Sequence, residues 1–393
     1  MNKVVADERK PCNRIVTNYC NCIVNNYLGY IAGVDISYVS STDISAVQEV
    51  LNYNDVRNTD SELLRKALIY GRAFEINYLD EEARQRFKIL DTKECIPVYD
   101  NTLNQELLFV IRFYEVDNLD ITKGYYIEVY TPTEIMRFKS NQTYTGLEAV
   151  ETIPHYFGQV PITVFALNAE QESIFDKIMS LQDAYNTLLS SEIDDFEAFC
   201  DAYLVLKNCY MDSEDVAEMR EKRTLILEGE NTDAVFLNKN ISDTQIENML
   251  ANIDAQIHKV ANSPNFSDDS FGTSSGIALR YRLLGFENTA AGIVANMTKA
   301  LQHRIELICA ILELTATDTT WRDVEIKFTR NLPVDYADLV NTINQLRGIV
   351  SDKTLISLLP FVKDADAELE NLQGDNAFLA SLYSFQKKEE VNE

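Results

Sequence analysis

The hydrophobic positions change period several times along the chain, and each change predicts a different element. Residues 12–38 are rich in Asn, Tyr and aliphatic side chains and include Gly29 and Gly33. They predict a helix over about Asn13–Leu28, a glycine break, and a short strand through Ile36–Tyr38. Segments 43–52 and 60–69 read as helices, the second capped by Thr59 or Asp60 ahead of Leu63, Leu64 and Leu68. From Gly71 the period falls to two. Arg72–Leu79 alternates, and 86–90, 95–99, 107–116, 125–130 and 135–139 continue in the same style between acidic or Asn-rich turns. Short alternating runs joined in this way predict an antiparallel sheet.

Past Pro161 the period becomes helical. Asn168 with Gln171 reads as a capping box, and Ile174, Ile178, Leu181, Tyr185 and Leu188 recur at steps of four and three. A helix over about 169–201 is expected, about 50 Å long at 1.5 Å per residue. Residues 202–241 interrupt it with a strand at 203–206, a short helix at 213–222 and a strand at 224–227, a small α/β insert. A second long helix over 242–262 opens with Ser242 and Gln245, keeps Ile246, Leu250, Ile253, Ile257 and Val260 on one stripe, and stops at Asn262-Ser263-Pro264. After the polar loop 263–275, a third helix runs from Gly276 to about Glu313, with Gly285 and Gly292 as kinks or points of close packing. A strand at 324–328 and helices at 335–347, 352–359 and from 364 complete a helix-rich α+β fold.

Composition sharpens this picture. Thirteen Gly and eight Pro in 393 residues are few breakers, as long helices require. Lys plus Arg number 35 against 62 Asp plus Glu, a net charge of −27, which excludes a broad basic grip on nucleic acid. The phosphate-binding glycine loops, H-E-x-x-H and G-x-S-x-G are absent, so neither a cofactor nor a metal is expected. His155, His258 and His303 lie far apart, and Cys20-Asn21-Cys22 has no second ligand pair to complete a zinc site. Seven cysteines at irregular spacing, with no secretory leader, read as reduced thiols of a cytoplasmic compartment. Apolar runs are too short to span a membrane.

Two long helices around a compact insert make a hairpin whose apolar stripes need cover. Identical neighbours in a closed head-to-tail ring supply it, and the helices then wall an acidic channel. Another ring-forming capsid-associated structural protein, or a soluble hydrolase built on a carboxylate pair, remains open on these grounds.

Local patterns then stand in a recognisable order. They begin with Asn18-Tyr19, Tyr27-Leu28-Gly29, Ile69-Tyr70-Gly71-Arg72-Ala73-Phe74-Glu75 and Glu94-Cys95-Ile96-Pro97-Val98-Tyr99-Asp100. Asp183-Ala184-Tyr185-Asn186 follows, then Ser263-Pro264-Asn265-Phe266-Ser267-Asp268, leading to Ser274-Ser275-Gly276-Ile277-Ala278-Leu279-Arg280-Tyr281. Asn331-Leu332-Pro333 and Val350-Ser351-Asp352-Lys353-Thr354 close the series. The set resembles the portal proteins of tailed bacteriophages, siphovirus type.

The resemblance implies a non-enzymatic ring, usually of twelve subunits, at the capsid portal vertex of the virion, assembled in the host cytoplasm. Double-stranded DNA passes through it without sequence preference. The terminase large subunit and the head-completion adaptor dock on it, and the major capsid and scaffolding proteins surround it; no membrane is involved. Residues 1–168 with 276–330 correspond to a wing, 169–201 and 242–262 to stem helices, 202–241 to a clip, 263–275 to a tunnel loop and 331–393 to a short crown. The channel residues are then Asn265, Phe266, Ser267, Asp268, Asp269, Ser270 and Phe271. The clip contacts are Asp212, Glu214, Arg220, Lys222 and Arg223, and the stem packs through Ile174, Leu181, Ile246 and Ile253.

Overall fold

The computed structural model describes residues 12–117, 120, 124–140, 146–200, 203–208, 212, 231–237, 243–266, 276–314, 321–331, 336–359, 362, 365 and 367–373. The chain folds as two compact units. The first holds residues 1–25 and 174–289, the second 26–173 and 290–393. Residues 12–25 are therefore grouped with the long helices rather than with the sheets.

The second unit is built on sheets. Helices α2 (Ser45–Tyr53) and α3 (Val56–Tyr70) precede β2 (Arg72–Leu79), while β1 (Ser37–Val39) pairs antiparallel with β12 (Glu325–Lys327). Strand β2 is the middle of a three-stranded antiparallel sheet, flanked by β3 (Gln85–Ile89) and β9 (Ile162–Ala166). A second sheet runs in chain order through β4 (Cys95–Tyr99), β5 (Leu107–Glu115), β6 (Tyr125–Tyr130), β7 (Glu134–Ser140) and β8 (Leu147–Pro154), all antiparallel. The predicted alternation is thus an antiparallel sheet. The two sheets share one core, in which Phe74 and Ile162 meet Cys95, Val110 and Tyr130, all buried.

Farther along that face of the second sheet the side chains turn ionic. Paired positions run Arg112–Glu128–Arg137–Glu151 across four strands. The Glu128 carboxylate, almost wholly buried, accepts from the hydroxyls of Tyr114 (2.9 Å) and Tyr130 (2.6 Å) and from Arg137 Nε (2.8 Å). Burial first, then the Glu128 charge, pushes the Tyr114 phenol up to about 12.

A third long helix, α6 (Gly276–Leu314), begins in the first unit and ends in the second. In the second unit its apolar stripe, Met297, Leu301 and Ile308, is interrupted by Arg304, which is fully buried. Arg304 Nε and Nη2 donate to the two Glu75 oxygens at 2.7 and 2.6 Å, and Nη1 donates to Asp60 and to the Tyr38 hydroxyl. One guanidinium thereby ties the third helix to α3, β1 and β2. Desolvation pulls it down, but Asp60, Glu75 and Tyr38 together outweigh that and hold its pKa well above the ordinary value. Gly292 has open space where a Cβ would stand, so it is not a point of close packing; Gly285 faces the Asn262 side chain at ordinary contact distance.

Candidate channel helices of the first unit

The first unit holds the predicted hairpin. Its first helix, α4 (Met179–Cys200), starts ten residues later than expected, after a 3-10 turn at Asp176–Ile178. Asn168 is not its cap: the side chain accepts from Glu172 N–H at 2.9 Å and donates to Glu172 O at 3.0 Å, closing a local turn. The returning helix is α5 (Asp243–Val260), and the two pack against each other. Between them β10 (Tyr203–Lys207) pairs antiparallel with β11 (Asp233–Leu237). That second strand was not predicted, and the one expected at 224–227 lies outside the described residues.

The buried face of α4 is polar. Gln182, Asn186 and Ser190 recur every four residues and are all buried, whereas Leu181 is half-buried. An extended segment explains this. Residues 12–18 are not helical, and their alternate N–H groups are taken by α4 side chains: Asn13 by Asp194 (2.6 Å), Ile15 by Ser190 (3.0 Å) and Thr17 by Asn186 (2.9 Å). Tyr19 N–H goes on to Gln182 (2.9 Å). Two extended residues rise about 6.7 Å and four helical ones about 6.0 Å, so an antiparallel ladder of this length stays in step. Only after it does α1 (Tyr19–Ala32) begin, with Asn18 accepting from Asn21 N–H at 3.0 Å as its cap. Replacing Asn186 by alanine leaves Thr17 N–H without its acceptor, a loss of about 1–3 kcal/mol. Limited proteolysis within 12–18 should then speed up at least tenfold while α4 stays helical by circular dichroism.

The remaining stem candidates, Ile246 and Ile253 on α5, are half-buried, and Ile174 lies before α4 in the preceding turn. The best-buried apolar positions of this pair are Ile178 and Ile257. Helix α4 carries Asp183, Glu192, Asp194, Asp195 and Glu197 with no Lys or Arg, so it presents a strongly negative surface.

Of the predicted loop residues, Asn265 and Phe266 are described; Ser267, Asp268, Asp269, Ser270 and Phe271 lie outside the described residues. The loop leaves α5 through a tight turn in which Asn262 is left-handed and Ser263 N–H donates to His258 O at 3.1 Å. Phe266 is 47% exposed and sets its ring edge-on to buried Phe286, centroids 6.2 Å apart. Of the clip candidates, Asp212 is exposed, and Glu214, Arg220, Lys222 and Arg223 lie outside the described residues.

Several groups of the kinds that do acid–base or nucleophilic work are shut in here. Asp60 and Glu75 form a carboxylate pair, and burial pushes Glu75 up despite Arg304; yet both are buried and clamped to that guanidinium, closed to any substrate. His303 meets the Thr163 hydroxyl at 3.0 Å, but Thr163 is 1% exposed and burial pulls the imidazole down to about 4. Burial pushes the Cys95 and Cys309 thiols up to about 12 and 11, far from thiolate chemistry. Among the described residues no group of three His, Cys, Asp or Glu side chains is placed to hold a metal, and no helix is long and apolar enough to cross a membrane.

A chain from the neck of an empty GTA particle, computed with C6 symmetry, shares the fold: TM-score 0.52 at 10% identity, over 86% of this chain and 88% of that one. The fold is thus a mixed helix-and-sheet one shared with a chain of that neck assembly. A family model, phage portal protein, SPP1 Gp6-like, matches residues 1–377, and the chain belongs to that family. The portal protein of Clostridium phage phiCD119 is 24% identical over 83% of this chain and 76% of its own length. That of Bacillus phage SPP1 is 25% identical over 82% of this chain and 67% of its own. The protein functions as a phage portal protein, and such proteins are virion components.

Proposed function

We propose that copies of this portal protein close head-to-tail into a ring whose channel is walled by α4 and α5, and that the ring passes double-stranded DNA without itself catalysing a reaction. The observation that carries this is the charge of α4, five carboxylates and no base over 22 residues. A basic wall would bind a phosphate backbone through counterion release; an acidic one holds it off and lets it slide. In this reading 263–275 hangs into the channel as the tunnel loop, 202–241 is the clip that receives the terminase large subunit and then the head-completion adaptor, and 331–393 is the crown. Major capsid and scaffolding proteins border the assembled ring, which forms in the host cytoplasm. The burial of Asp60, Glu75, Cys95 and Cys309 supports the non-catalytic part of the reading.

The test is in two stages. Native mass measurement and negative-stain images of the purified chain should show closed rings. Deleting 266–272 should leave those rings intact and block genome packaging in a phage assay; capsids that fill normally with the deleted protein would refute the channel assignment.

A further inference from the structure

The ionic lattice described above occupies one face of the sheet β4–β8. Because strand side chains alternate, the residues between those positions form the other face, and that face is apolar. Two cross-strand rows define it: Ile111–Val129–Met136 and Phe113–Ile127–Phe138. All six are half-buried, none is buried, and none belongs to the core cluster that the sheet shares with β2 and β9. The usual order is inverted: the buried side chain on β6 beside Tyr130 is Glu128, while the isoleucine and valine flanking it are only half-buried. Five strands spaced about 4.8 Å apart and about six residues long give this face a footprint of about 400–500 Å². That is the size of the largest apolar patch a soluble monomer usually leaves uncovered, and such a patch is often functional.

The same unit holds a complementary surface. Helix α7 (Tyr336–Leu346) carries Leu339, Ile343 and Leu346 at i, i+4 and i+7, and its described side chains are all half-buried or exposed, Val340 being 51% exposed. Asn341, Thr342, Asn344 and Gln345 make its other side polar. An open sheet face and an amphipathic helix with an unburied stripe are the two halves of a sheet–helix layer, the ordinary way to cover an antiparallel sheet.

We propose that the apolar face of the β4–β8 sheet is an interface between copies of this chain, covered by α7 of the adjacent copy. The inference rests on the ring reading and deepens it. The sheet and the helix stripe are different surfaces, so one copy can offer its sheet to one neighbour and its helix to another, the head-to-tail arrangement that closes into a ring. A footprint of this size on each side is about half of a standard interface. It therefore acts beside other contacts between the copies, and it belongs to the second unit, whereas the helix pair taken to line the channel belongs to the first.

The experiment uses the full chain. The double variant Ile111→Lys, Val129→Lys puts two charges on a face that is open in the single chain. Its circular dichroism spectrum and melting temperature should match those of the unassembled parent, and its ring fraction by native mass measurement should fall at least tenfold. A photoreactive p-benzoylphenylalanine placed at Ile127, in rings formed from a mixture of 15N- and 14N-labelled chains, should give mixed-isotope cross-links to 336–346. Undiminished rings from the double variant, or cross-links confined to one chain or directed elsewhere, overturn the inference and leave the ring reading standing. A parent chain that stays single at every concentration sinks the ring reading itself, and this inference with it.

Discussion

Replacing Arg304 by methionine is expected to destabilise the second unit by about 3–5 kcal/mol, the usual cost of removing one partner from a buried ionic cluster. The volume is nearly kept, so the loss is electrostatic. Glu75 gives up two hydrogen bonds and Asp60 and Tyr38 one each, and two buried carboxylates remain with no cation between them. Lysine should recover little, because one ammonium cannot reach both Glu75 oxygens and Asp60 in the geometry of a planar fork. The pH dependence gives a second readout. Burial already pushes the Glu75 carboxyl up against the pull of Arg304, and without Arg304 it rises further. A carboxyl whose folded pKa lies above its unfolded value contributes stability that is complete below the unfolded value, here 4.5, and is lost as pH rises through the folded one. The deficit of Arg304→Met relative to the parent should therefore be largest at pH 7 and above and should shrink as the pH falls towards 4.5. Urea unfolding at several pH values measures it; a deficit independent of pH would show that the carboxylates are not the cause.

Gly71→Ala is expected to cost about 3 kcal/mol: roughly 1–2 from the left-handed backbone and the rest from displaced main chain. Gly71 ends α3 with φ 76° and ψ −15°, and its N–H donates to Ala67 O at 2.8 Å. Its carbonyl accepts from Leu167 N–H at 2.9 Å, which brings the segment after β9 against the start of β2. A Cβ there would stand 1.9 Å from the Gln171 carbonyl oxygen, backbone that cannot swing aside as a side chain does. The turn closed by Asn168 and Glu172 would have to move. At about 2–4 °C per kcal/mol the melting transition of this unit should fall by about 10 °C. Gly292→Ala, on the same chain but facing open space, serves as the control and should lose nothing.

These two positions show what a sequence reading reaches and where it stops. Short runs rich in β-branched and aromatic residues between turn signals mark 95–99, 125–130 and the body of 107–115 as strands. Strand β8 was not found: Leu-Glu-Ala-Val-Glu-Thr-Ile-Pro carries a register shift opposite Arg137/Phe138, and a bulge breaks the alternation that reveals a strand. The helix starts at 13 and 169 were misplaced for one reason. Asn, Thr and Ser side chains choose between closing a local turn and bonding distant backbone, and here Asn168 does the first while Asn186 and Ser190 do the second. Arg304 left a faint trace, a charge on an apolar stripe, but its partner Glu75 lies 229 residues away, beyond any local period. Of the candidate channel, the hairpin of α4 and α5 was legible from two apolar stripes around an insert; which side of α4 is buried was not.

By itself the sequence determined the order of the elements, the run of long helices, the negative charge of α4 and the likeness to portal proteins, all of which depend on neighbours along the chain. The tertiary structure alone decided that an extended N-terminal segment takes the polar side of α4, that one arginine fastens three distant elements to the third helix, and which face of the β4–β8 sheet is left open. Hydrogen bonds and buried charge are settled by whatever groups meet in space, and no period along the chain records that meeting.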